Sequence, residues 1–141
     1  MKIVHTLNPA ANQLEYLTEQ INKEALEMGI TDQAFPFAFY IYEQEQLIAG
    51  CNGSLIYGSI YTDQLWVHPH YRKKGLGKAL MEKVHELGKA HHCTLATVST
   101  LSFQNSRSFY EKLGYTVDFC RPGYVQESVC FFMRKDLESL S

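Results

Sequence analysis

The stretch Leu65 to Leu80, LWVHPHYRKKGLGKAL, runs from the end of an apolar strand through a turn and a basic glycine loop into a helix. Leu76, Leu80, Val84 and Leu87 mark one face of that helix, and the spacing carries it to about Ala90. A short apolar strand, Leu95 to Val98, follows. Strand, helix and strand of this length form a βαβ crossover, so the two strands are expected to be parallel neighbours in one sheet. The same order of parts builds an anion site. A helix start leaves N–H groups unpaired and carries partial positive charge. Gly75 and Gly77 let a phosphate approach the backbone, and Arg72, Lys73, Lys74 and Lys78 add formal charge.

The other elements arrange themselves around this unit. Lys2 to Leu7 alternates weakly and reads as a first strand. Asn8 and Pro9 then read as the cap and first turn of an amphipathic helix, with Leu14, Leu17, Ile21, Ala25 and Met28 on one face and Gly29 as its stop. Phe35 to Tyr42 is a β-favouring run with Phe35, Phe37, Phe39 and Ile41 on one face and Ala38, Tyr40 and Tyr42 on the other. Glu43 to Gln46 turns the chain into a strand from Leu47 to Tyr57, where Gly50 and Gly53 signal bulges or close backbone approach. Gly58 turns it again into Ser59 to Val67, completing an antiparallel meander. Beyond the crossover, Ser106 to Leu113 is a short helix ended by Gly114. Tyr115 to Arg121 and Ser128 to Lys135 read as a closing hairpin with Pro122-Gly123 at its turn. The expected class is α+β: a mixed, mostly antiparallel sheet with helices on both faces, in one domain.

Composition excludes several function classes. A net charge of −2 argues against a general nucleic-acid binder. No apolar run approaches the roughly 18 residues of a membrane span, and the N-terminus lacks the apolar core of a signal peptide. Cys51, Cys93, Cys120 and Cys130 are far apart and read as reduced, buried thiols. The expected setting is cytoplasmic, without a membrane or nucleic-acid partner. His68-Pro69-His70 and His91-His92-Cys93 lack the spaced pairs of a structural zinc site and read as turn or surface residues, so no metal is expected.

The glycine loop has look-alikes. A P-loop needs Gly five residues before its Gly-Lys pair and Ser or Thr after it; those positions hold Arg72 and Ala79. A dinucleotide fingerprint also fails, since there is no GxGxxG. What remains is a different pairing. Leu65-Trp66-Val67 followed by Arg72-x-x-Gly75-x-Gly77 resembles the acyl-CoA-binding motif of the GNAT superfamily of N-acetyltransferases. The run Phe109-Tyr110-Glu111-Lys112-Leu113-Gly114-Tyr115 resembles that family's second motif, usually of the form YEKLGF. One strand separates the two, as in the family. The resemblance is tight from Leu65 to Tyr115 and topological elsewhere.

The resemblance implies acetyl-CoA as cosubstrate, a primary amine as acceptor, direct attack without a covalent enzyme intermediate, and a GNAT-like acyl-CoA N-acyltransferase fold. The backbone of Leu65, Trp66 and Val67 would pair with the pantetheine arm, whose amides can act like those of an added strand. N–H groups across Arg72, Lys73, Lys74, Gly75, Leu76, Gly77 and Lys78 would hold the pyrophosphate, and Lys73 and Lys74 would either meet the 3′-phosphate or stay solvated. Tyr110 matches the tyrosine that protonates the departing thiolate, a role open to a phenol that is protonated at neutral pH. Many relatives carry an Asn seven residues before that tyrosine, where this chain has Phe103. Gln104 or Asn105 would have to replace it, and Asn105 is carried as the candidate.

For the base, strict alternation puts Tyr61, Asp63, Leu65 and Val67 on one face. Some relatives place a glutamate where Tyr61 stands; Asp63 is the leading candidate here, ahead of His68 and His70. Of the aromatic side chains on the early strands, most are expected in the core and some on the acceptor wall. One N-terminal helix, where many relatives have two, points to an open acceptor cleft. The acceptor itself, whether a small molecule or a peptide amine, is not legible, and a homodimer is suggested only by its frequency in the family. Two rivals stay open: a non-catalytic acyl-CoA-binding or regulatory domain of the same fold, and a structural protein whose turn mimics the motif.

Overall fold

Alternating apolar residues and two tight turns bring six strands into one mixed sheet. The computed structural model describes residues 1–138. The elements are α1 (Ala11–Glu27), β1 (Phe35–Glu43), β2 (Gln46–Ile56), β3 (Ser59–Val67), α2 (Leu76–Ala90), β4 (Leu95–Leu101), α3 (Arg107–Lys112), β5 (Thr116–Arg121) and β6 (Cys130–Asp136). The strand order is β1-β2-β3-β4-β6-β5. Only β3 and β4 are parallel, as a βαβ unit requires; every other pair is antiparallel. The expected α+β class is therefore the observed one. Tyr57 and Gly58 both take positive φ, the geometry of a two-residue hairpin turn whose twist matches its strands.

The core lies between the sheet and α2. Ile60, Met81, Val84, Ala96 and Met133 are among its fully enclosed side chains. Burying side chains of this size contributes roughly 1.5–3 kcal/mol each for the larger ones, which seats α2 firmly. α3 packs on the same side, through Phe109 against Gly77 at the start of α2. The opposite face of the sheet bears Pro36, Ser54 and Ile56, and α1 lies over these across a cavity of about 890 Å³. Among the described residues, no helix is long and apolar enough to cross a membrane.

Several expectations are corrected. Lys2 to Leu7 forms no strand; Ile3, Val4 and Leu7 stand exposed. Weak alternation gives that segment little apolar face to bury, and no ladder holds its backbone. The helix starts later than expected, after Ala10, and Asn8 does not cap it: the Asn8 N–H donates to Thr6 Oγ1 at 3.0 Å. α1 buries no residue, and Leu17 and Ile21 stay 59% and 54% exposed. The helix is held instead by a polar clasp. Asn22 donates to the Ala34 carbonyl and accepts from the Ala34 N–H, at 2.9 and 2.8 Å, and accepts from the Tyr57 hydroxyl at 3.0 Å. Tyr40 and Tyr42 are exposed rather than core, because their face of the sheet is only partly covered, and Tyr57 is exposed at the β2–β3 turn. Cys120 is also exposed, on the edge strand β5; the other three thiols are buried, and all four are free. The β5–β6 connection is longer than a Pro-Gly turn and contains a short helical turn, Val125–Glu127.

Candidate active site

The site begins where β3 and β4 part. Their ladder runs only from Ser59↔Leu95 to Thr62↔Val98. Past that point β3 keeps β2 on one side, through Cys51↔Leu65 and Ala49↔Val67, and β4 keeps β6, through Ser99↔Phe132 and Leu101↔Cys130. The facing edges of both strands are left without a partner strand. An unpaired strand edge is a template for an extended molecule with amides of its own.

A bulge fixes the aim of that edge. Between β2 and β3 the register shifts so that Asn52 pairs Gln64 and Gly53 pairs Thr62, leaving Asp63 as the extra residue. A Cβ on Gly53 would sit 1.8 Å from the Tyr61 carbonyl oxygen, so only glycine permits this crossing. The bulge inverts the alternation. Ile60 and Thr62 face α2 before it; Leu65 and Val67 face the core after it. Tyr61 shares the opposite face with Ser54 and Pro36. The expectation that Tyr61, Asp63, Leu65 and Val67 share one face is thus corrected by the inserted Asp63.

Beyond Val67, the Arg72 Nε donates to the Val67 carbonyl at 2.8 Å, folding the basic loop back onto the strand end. Lys73 and Gly75 take positive φ, of 62° and 83°, and Gly75 serves as the α2 cap without any side-chain bond. The first helical bond is that of the Ala79 N–H to the Gly75 carbonyl, at 3.0 Å. The N–H groups of Leu76, Gly77 and Lys78 therefore point out of the helix start without intrahelical partners. They open onto a cavity of about 590 Å³ walled by Leu65, Trp66 and Val67, by the loop, and by α3. Gly77 has a second reason to be glycine: a Cβ there would meet the Phe109 ring at 3.2 Å.

The structure brings together most of the expected cofactor residues. Leu65, Trp66, Val67, Arg72, Lys73, Gly75, Leu76, Gly77 and Lys78 all line this cavity. Lys74 does not; its ammonium lies over the Tyr71 ring, 5.5 Å from the centroid. Asn105 lines an adjoining hollow, whereas Gln104 lines the cavity itself, with its Oε1 accepting from the Leu101 N–H at 2.8 Å. Tyr71, Ser106 and Lys112 also line the cavity and went unforeseen. Lys112 lies within a quoted motif, and its positive charge was the available signal.

Tyr110 is 7% exposed, with its ring edge-on to Phe109 and Tyr115 at 5.1 and 5.6 Å. Burial, with Cys51 and Tyr61 nearby, pushes its phenol up to about 12, so the hydroxyl keeps its proton at neutral pH. Burial likewise raises the Cys51 thiol to about 11, which leaves it a poor nucleophile. On the other face of the sheet, Asp63 and Tyr61 border a hollow of about 620 Å³. The Tyr61 hydroxyl lies 3.5 Å from both Asp63 Oδ1 and Ser99 Oγ, spanning the point where the strands part. His68 does not line that hollow; it packs in an aromatic cluster with Trp66 and Tyr71, and its Nδ1 accepts from the His70 N–H at 3.1 Å.

Comparison with known proteins matches this architecture. An acetyltransferase from Bacillus cereus ATCC 14579 superposes with a TM-score of 0.74 at 21% identity, covering 95% of this chain and 98% of that one. The ribosomal-protein-S18-alanine N-acetyltransferase of Escherichia coli gives 0.66 at 15%, covering 94% and 92%. The paia N-acetyltransferase of Thermoplasma acidophilum, solved with coenzyme A, gives 0.61 at 18%, covering 92% and 80%. At such identities the likeness is one of fold. The sequence has no match among curated proteins. It does match the family described as acetyltransferase (GNAT) domain over residues 36–117, a span that holds the strand edge, the bulge, the glycine loop and Tyr110. With more than half its length inside that match, the chain belongs to the GNAT acetyltransferase family.

Proposed function

We propose that the protein moves an acetyl group from acetyl-CoA to a primary amine by direct attack. The observation that carries this reading is the unpaired edge of β3 running straight into the free N–H groups of α2. That sequence of donors and acceptors suits a pantetheine arm ending in a pyrophosphate. Arg72, Lys73, Lys78 and Lys112 supply the countercharge. Relatives of the same fold support it, one of them solved with coenzyme A.

In this mechanism the thioester lies in the gap between β3 and β4. N–H groups of the β3 edge polarise its carbonyl as negative charge develops. The amine nitrogen attacks the carbonyl carbon, the C–S bond breaks, and the sulfur takes the Tyr110 proton, which Tyr110 then regains from solvent. The proton lost by the amine passes to Asp63, directly or through water, and on to solvent. Cys51, held protonated, takes no part as a nucleophile.

The test is a free-thiol assay over a panel of amines beside calorimetry with acetyl-CoA. Tyr110→Phe should lower kcat by about 10²-fold and leave the acetyl-CoA Kd within about twofold; wild-type turnover would remove the acid role. Asp63→Asn should lower kcat and flatten the acid limb of the rate–pH profile, and an unchanged limb would remove Asp63 as base. Tight acetyl-CoA binding with no thiol released on any amine would favour a binding or regulatory domain instead.

A further inference from the structure

The cavities on the two faces of the sheet are lined by opposite charge. The cavity at the α2 start is lined by four cationic side chains and, among the described residues, by no carboxylate. The hollow on the other face presents Asp63, the rings of Tyr40 and Tyr61 and the Asn52 amide, and among the described residues no lysine or arginine is in its wall. Asn52 Oδ1 is buried and takes no donor from a described residue, while its Nδ2 is spent on Gln64 at 3.0 Å. Pro36 and Ser54 are shared with the cavity under α1, so the two hollows adjoin. The second has apolar walls in Leu14, Phe35 and Ile56. Among the described residues its charged groups are Glu15 and Glu19, again without a lysine or arginine, and the Gln33 amide adds a neutral polar group.

Resting on the acetyltransferase reading above, we infer that the acceptor is a flexible aliphatic polyamine. Its reacting amine lies against Asp63, its methylene chain passes Pro36 and Ser54, and a second ammonium lies between Glu15 and Glu19. Carboxylates and aromatic faces attract ammonium groups, and apolar walls suit the chain between them. An acceptor bearing its own carboxylate finds no lysine or arginine among the described residues of either hollow's wall.

The experiment is a free-thiol assay with acetyl-CoA. It compares butane- to octane-length α,ω-diamines with monoamines and ω-amino acids of equal length. The best diamine should exceed its matched monoamine by about tenfold in kcat/KM, with the ω-amino acid slowest. The double variant Glu15→Gln with Glu19→Gln should shrink that ratio toward one, chiefly by raising the diamine KM. Both residues are on the surface, and a thermal melt verifies the fold. Equal rates for diamine and monoamine, a fast ω-amino acid, or a ratio unmoved in the double variant would each overturn the inference while leaving the acetyltransferase reading intact. Acetyl-CoA binding without thiol release on any amine would overturn both.

Discussion

Asp63 is one residue too many in the ladder between β2 and β3, and it decides where its neighbours point. The bulge depends on Gly53, where any Cβ would collide with the Tyr61 backbone. Gly53→Ala should therefore cost about 3 kcal/mol or more in urea denaturation, since backbone has to move. Gly75→Ala is the contrast. Its φ is +83° but nothing lies within 4 Å, so the cost should be about 1 kcal/mol, the strain of a left-handed residue alone. Equal midpoints for the two variants would refute this account of the bulge. Gly53 was legible in the sequence as a place of close approach. The phase change was not, because alternation is a local rule and a bulge depends on the partner strand.

At the level of elements, α2 and α3 are joined by a buried polar contact. His85 of α2 and the hydroxyl of Tyr115, just past α3, share a hydrogen bond of 2.8 Å. Burial, with Lys135 and Lys89 close by, holds the His85 imidazole down to about 4. In the unfolded chain the same ring takes a proton near pH 6.5. Between those values the unfolded state binds more protons, so stability should fall as pH falls from about 6.5 to about 4. Urea midpoints across that window, for wild type and His85→Asn, test it. The variant should lose part of the slope, and an identical slope would show that His85 is not the group responsible. The βαβ unit and α3 were readable because helical periodicity and capping glycines are local signals. The placing of β6 between β4 and β5 was not, since strand partners are chosen across the whole sheet. α1 misled for a related reason. Its apolar stripe is real, yet the helix is fixed by Asn22, and one asparagine leaves no pattern.

For the molecule as a whole, the sheet separates a cavity lined by cationic side chains from hollows lined by carboxylates. A net charge of −2 conceals this, because the sequence does not say which residues share a cavity. On the proposed function, acetyl-CoA at about 100 times its Kd should stabilise the fold by about 2.7 kcal/mol and raise Tm by about 9 °C. Added salt should shrink that shift by screening the cationic wall. A Tm indifferent to acetyl-CoA would argue against the cavity as its site. The parting of β3 and β4 also governs traffic. With the proposed acetyl-CoA cavity on one side of the sheet and the proposed acceptor hollows on the other, neither ligand would stand in the other's doorway. Double-reciprocal rate plots should then converge rather than run parallel, and each product can leave the way its parent came in.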